Sequence, residues 1–99
     1  MLERTYKCML SQGYSLDTIY TYLNRGLLFL KYIEALGKTI DEITLDEIQD
    51  YLSTRGKTST IAKYIEAIKI IAKVNIQYKP TFFGIAKYLK HPKKKIVSR

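Results

Sequence analysis

The chain has 99 residues, 46% of them hydrophobic and 26% charged, with a formal net charge of +8. That is the composition of one globular domain, with no room for a second core and too many apolar residues for a disordered segment. The single cysteine (Cys8) and single histidine (His91) exclude an internal disulfide and a Cys/His metal set, no apolar run approaches the roughly 18 residues of a membrane span, and the start Met1-Leu2-Glu3-Arg4 is no secretory leader.

Apolar positions recur at three- and four-residue spacings throughout, so every element is predicted helical. Leu2, Tyr6, Met9 and Leu10 define a first helix over about residues 2–12, stopped by Gly13. Ser15 is placed to cap a long helix that runs to Leu36, with Gly37 after it. Leu16, Ile19, Tyr20, Leu23, Leu27 and Leu30 share one arc of about 100° and are expected in the core. Thr18, Thr21, Arg25 and Tyr32 then face outward, with Tyr22 at the boundary. Thr44-Leu45-Asp46-Glu47 reads as a capping box. The helix it opens buries Leu45, Ile48 and Leu52, carries Asp46, Glu47 and Asp50 outside, and ends near Arg55-Gly56. Thr58, Ser59 and Thr60 are expected to cap a fourth helix over about residues 60–75. Its arc of Ile61, Tyr64, Ile65, Ile68, Ile71 and Ala72 continues through Ala67, Ile70 and Val74, wide enough to be packed on two sides. Phe82, Phe83, Ile85 and Leu89, in a short fifth helix after Pro80, are expected to cover the second side. The fold class is all-α: a bundle of four main helices and a short fifth over residues 1–89, then a basic linker over residues 90–99.

Nothing in the sequence assembles a catalytic centre. The nine tyrosines fall in core arcs or at helix boundaries, where they pack with a wet hydroxyl. His91 sits in a lysine run without a carboxylate beside it, and Cys8 lies opposite the first helix's apolar stripe or at its edge and is read as inert. No glycine loop is built to cradle phosphates. Neither cofactor, metal nor small-molecule substrate is expected.

Charge is the more telling feature. Residues 1–50 hold five Lys/Arg and eight Asp/Glu, whereas residues 51–99 hold twelve Lys/Arg and only Glu66. So uneven a field fits a face built for a polyanion. Three stretches point the same way. Lys57, Thr58, Ser59 and Thr60 open the fourth helix, with Lys63 one turn on, and a helix N-terminus with hydroxyls and lysines suits phosphate oxygens. Thr18, Thr21, Tyr22 and Arg25 lie within two turns of the long helix, a set able to touch bases and backbone. Lys90, Lys93, Lys94 and Lys95 form a basic strap. Read separately, each stretch is equally a cap, a polar face or a solubilising tail; they agree only together.

The ordered pattern resembles a known family. Ser15, Thr18, Ile19, Tyr22 and Leu23 begin a helix that continues through Phe29, Leu30, Tyr32 and Ile33 to Gly37-Lys38-Thr39. Ile43 to Ile48 with Tyr51-Leu52 follow, then Ser59-Thr60-Ile61, Tyr64-Ile65 and Ala67-Ile68-Lys69, and a Pro-Lys-Lys-Lys tail. This looks like the core-binding, SAM-like N-terminal domain of tyrosine recombinases, the phage integrase and Xer group, over about residues 2–95. The resemblance implies half of a C-shaped clamp around double-stranded DNA, with the second and fourth helices toward the major groove. It places Thr18, Tyr22 and Arg25 on one DNA-facing helix and Lys57, Ser59, Thr60, Lys63 and Lys69 on the other, with Lys93, Lys94 and Lys95 in the linker. Lys63 and Lys69 stand where arginines are frequent, which favours phosphate contact over base reading. The family's catalytic Arg, His-x-x-Arg and Tyr set belongs to a second domain, and His91-Pro92-Lys93-Lys94 does not supply it. The chain is thus expected to be inactive alone, either an excised piece or a stand-alone relic of a cytoplasmic, nucleoid-acting recombinase whose partners are DNA and fellow protomers, with no membrane partner. The alternative is a helical protein–protein interaction or oligomerisation module, in which the acidic third helix mates with a basic face.

Overall fold

The computed structural model describes residues 1–90, so His91 and the tail lysines Lys93, Lys94 and Lys95 lie outside the described residues. Five helices follow one another: α1 (Leu2–Ser11), α2 (Leu16–Ala35), α3 (Leu45–Ser53), α4 (Thr58–Val74) and α5 (Pro80–Ala86), with no strand among the described residues. The ends follow local chemistry. Ser15 Oγ accepts from the Thr18 amide at 3.2 Å and starts α2. Gly37, at φ +73°, takes the left-handed turn that ends it. At α3 the capping box closes both ways: Thr44 Oγ1 accepts from the Glu47 amide, and Glu47 accepts from the Thr44 amide at 3.0 Å. The Lys38 ammonium, 2.6 Å from Glu47, and then the Thr44 amide hold that carboxyl below its ordinary range.

Helix α4 is the centre of the bundle, touching α1, α2, α3 and α5. Ile61, Ile65, Ala67, Ile68, Ile71 and Ala72 are buried on it, and each large apolar side chain removed from water contributes about 1.5–3 kcal/mol. The second packed side is covered as expected, with Phe82, Ala86 and Leu89 buried. Gly26 lets α2 approach closely: a Cβ there would run into the Ile71 side chain and crowd Leu2. A polar tie fastens α1. Asn75, fully enclosed at the end of α4, donates to Ile71 O at 2.8 Å and Thr5 Oγ1 at 3.3 Å, and Thr5 Oγ1 donates to Met1 O at 3.0 Å. Asn75→Ala should cost about 1–3 kcal/mol in urea unfolding, because enclosed partners lose their bonds. A loss under about 0.5 kcal/mol would mean that apolar contact alone holds α1.

Four expectations about faces need correction. The buried residues of α2 are Ile19, Gly26, Phe29 and Ile33, whereas Leu16, Tyr20 and Leu27 are exposed. Its core stripe is therefore rotated away from the predicted arc. Tyr32 is half-buried rather than outward, its ring 4.7 Å from that of Tyr51 and its hydroxyl donating to Glu47 O at 3.1 Å. On α1, Thr5 and Met9 are buried and Leu10 is exposed. Helix α4 begins at Thr58 with Lys57 at its N-cap and no side chain capping it, so Thr58, Ser59 and Thr60 form the first turn instead of preceding it.

Candidate functional site

Packing α2 on α4 leaves a groove of about 290 Å³ between them, lined by Asp17, Thr18, Thr21, Tyr22 and Arg25 of α2 and by Lys63 and Glu66 of α4. Five of the residues singled out by sequence (Thr18, Thr21, Tyr22, Arg25 and Lys63) thus meet in one place, although Lys63 lies about forty positions from the others. Each comes with a defined hydrogen-bonding capacity. Thr18 Oγ1 accepts from Ser15 Oγ at 2.9 Å, which leaves its own proton free to donate outward. Thr21 Oγ1 donates back to Asp17 O at 2.8 Å and keeps only accepting capacity. Tyr22 donates to Glu66 Oε1 at 3.2 Å across the groove. Burial, followed by the Glu66 carboxylate, pushes the Tyr22 hydroxyl above its ordinary pKa. The Tyr14 ring stands beside it, with centroids 6.5 Å apart.

Arginine–tyrosine stacking continues the groove toward the α3–α4 junction. The Arg25 guanidinium lies 5.8 Å from the Tyr64 ring centroid, and Arg55 lies 4.4 Å from that of Tyr51 and 5.9 Å from that of Tyr64. Stacking on an aromatic face fixes the Arg25 guanidinium without consuming its donors, whereas Arg55 also donates through Nε and Nη2 to Thr54 Oγ1 at 3.3 and 3.0 Å. Among the described residues, Arg25, Arg55 and Lys63 have no carboxylate within ion-pair distance. Arg55, which stacks beside the groove, is one residue that sequence reading did not single out. Its only signal was its place just before Gly56-Lys57, at the mouth of α4.

The other predicted positions are distributed around this groove. Lys57 and Ser59 are exposed and Thr60 half-buried on the first turn of α4, one turn before Lys63. Lys69 does not join them. It borders a separate cleft between α4 and α5 together with Lys73 and Lys87. The groove is also less cationic than the sequence implies, since Asp17 and Glu66 share it with Arg25 and Lys63. Glu66 stands three residues from Lys63, a spacing that puts both on one face of α4, but its meeting with Tyr22 and Asp17 of α2 depends on tertiary packing.

Fold and groove define an all-helical, SAM-like module with an open polar groove between its two longest helices. The family model for the phage integrase N-terminal SAM-like domain matches residues 5–74, from within α1 to the last residue of α4. The chain belongs to that family, and every residue of the groove falls inside the match. It is a domain of integrases of the tyrosine recombinase type; the match is to an N-terminal domain, and no catalytic domain is found with it. No curated protein and no solved structure matches significantly. Among the described residues, no helix is long and apolar enough to cross a membrane.

Proposed function

We propose that this chain grips duplex DNA as one half of a recombinase clamp, using the α2–α4 face, within a site-specific recombinase or integrase whose chemistry is done elsewhere in the parent protein. The observation that carries this reading is the convergence of Thr18, Tyr22, Arg25 and Lys63 on one groove, beside a helix N-terminus bearing Lys57, Ser59 and Thr60. Amides at the start of α4, its positive dipole end and the lysines suit phosphate oxygens. Arg25, held by stacking, offers the planar fork that matches guanine O6 and N7. Gln49 of α3 holds the Lys90 backbone through hydrogen bonds of 2.9 and 3.1 Å. From that fixed point Lys93, Lys94 and Lys95 would lead the linker across the DNA. The partners are double-stranded DNA and fellow protomers of the parent, acting at the prokaryotic nucleoid. The acidic outside of α3 has less to offer a basic partner protein, because Glu47 is taken up by Lys38 and the helix cap.

Two substitutions test the assignment by fluorescence anisotropy with a duplex of about 30 base pairs. Lys63→Ala should weaken binding about tenfold for every sequence alike, as loss of one phosphate contact does. Glu66→Gln should tighten binding severalfold, since it removes a negative charge facing the phosphates. A Lys63→Ala protein that binds like the parent removes the groove from the DNA interface.

A further inference from the structure

Half of the stripe that sequence periodicity assigns to the core of α2, Leu16 (49%), Tyr20 (57%) and Leu27 (41%), is left uncovered, and Leu28 (40%) beside it is exposed too. Tyr6 of α1 extends the patch by stacking on Tyr20, with ring centroids 6.4 Å apart. A concavity of about 780 Å³ runs along it, lined by Leu2, Tyr6, Tyr20, Leu23, Leu27 and Leu28 together with the polar Glu3, Thr21, Asn24 and Arg25. Apolar surface grouped in this way marks an interaction site rather than ordinary surface scatter.

We propose that the outer face of α2 is an isologous contact, paired antiparallel with the same face of a second copy of this chain. The pattern about Asn24 carries the inference. Asp17, Tyr20, Thr21, Asn24, Leu27, Leu28 and Lys31 are all exposed, and at 100° per residue they lie within 60° either side of Asn24. The face is self-complementary when the helix runs against itself. Asp17 at one end meets Lys31 of the second copy at the other. Tyr20 packs on Leu27 of that copy, Thr21 on its Leu28, and the two Asn24 side chains meet near the dyad. Among the described residues neither Asp17 nor Lys31 has an ion-pair partner within its own chain. A polar Asn at the centre of an apolar seam fixes register, as it does in coiled coils. Thr18 and Tyr22 lie on the other side of α2 and stay free, whereas Thr21 and Arg25 border both this concavity and the α2–α4 groove.

The face is small. From Asp17 to Lys31 it runs about 21 Å along the helix, less than the surface of a stable dimer needs, so association should be weak and concentration-dependent. The test is sedimentation equilibrium of the whole chain, under reducing conditions, from about 10 µM to about 1 mM, the range in which a contact of this size is populated. The apparent mass should rise from 11.5 kDa toward twice that value and stop there, as a closed twofold contact requires. Leu28→Glu, an exposed change that leaves the core intact, should hold the protein monomeric. So should Asp17→Lys and Lys31→Asp singly, with circular dichroism confirming that each variant is folded. The double charge swap Asp17→Lys/Lys31→Asp should restore the dimer, which no purely structural role of either residue predicts. A mass of one chain at every concentration overturns the proposal and assigns the patch to a different partner. Growth beyond two chains, or failure of the swap to restore association, overturns it as well.

Discussion

Phe29→Ala lowers the unfolding free energy by about 3–5 kcal/mol, while Leu27→Ala, two residues earlier on the same helix, costs about 1 kcal/mol or less. The contrast follows from where α2 places the two side chains. Phe29 is 1% exposed, with its ring 5.5 Å from that of Tyr51 and 6.1 Å from that of Phe82. It therefore joins α2 to α3 and to α5, and its removal opens a cavity at the junction of three helices. Leu27 keeps 41% of its surface in water and leaves no enclosed void. A domain of this size has about 5–15 kcal/mol in all, so the Phe29 variant approaches the limit of folding. Its melting temperature should fall by at least about 12 °C. Urea unfolding of both variants decides the matter, and equal losses would place the core on the other side of α2.

The second large effect is on DNA. Arg25→Ala combined with Lys63→Ala should weaken duplex binding about 100-fold near 0.1 M salt, because each phosphate neutralised there contributes close to one decade. The two halves of the double variant should be separable. Lys63 is a point charge, and its loss acts alike on all sequences. Arg25 can make a paired contact with a base edge, and its loss should also flatten whatever preference the domain shows. Lys69→Ala should matter less than Lys63→Ala, since Lys69 borders the α4–α5 cleft rather than the groove. Competition titrations with random and selected duplexes measure both quantities. An Arg25→Ala protein with unchanged preference would confine that arginine to the backbone.

Much of this was legible in the sequence where the signal is local. The Ser15 cap, the Thr44/Glu47 capping box and the glycine after α2 are set by neighbours within four residues, and the structure forms all three. The wide apolar arc of α4 foretold a helix packed on two sides, and α5 covers the second. The phase of α2 was not legible. Apolar residues occur nearly all round it, so periodicity permits several stripes, and the stripe that faces α4 includes Gly26, where a Cβ would run into the Ile71 side chain. The chosen stripe runs through Phe29 and Ile33, and Leu16, Tyr20 and Leu27 are left outside. The same limit applies to the groove. Thr18, Tyr22 and Arg25 could be grouped from one helix's geometry, and Lys63 from the next, but their meeting is a tertiary fact. So are the carboxylates of Asp17 and Glu66 among them and the stacking of Arg55 on Tyr51 and Tyr64.

Binding of duplex DNA is the claim on which the rest depends, and its salt dependence is the most direct test. A labelled duplex of about 30 base pairs, titrated with the whole chain at several salt concentrations from about 50 mM upward, should give a log–log slope near −4.5, the value for about five neutralised phosphates. A domain separated from its clamp partner should bind weakly, because linkage of two modules supplies much of the intact grip. Absence of binding at the lowest salt, or affinity indifferent to salt, would contradict the account.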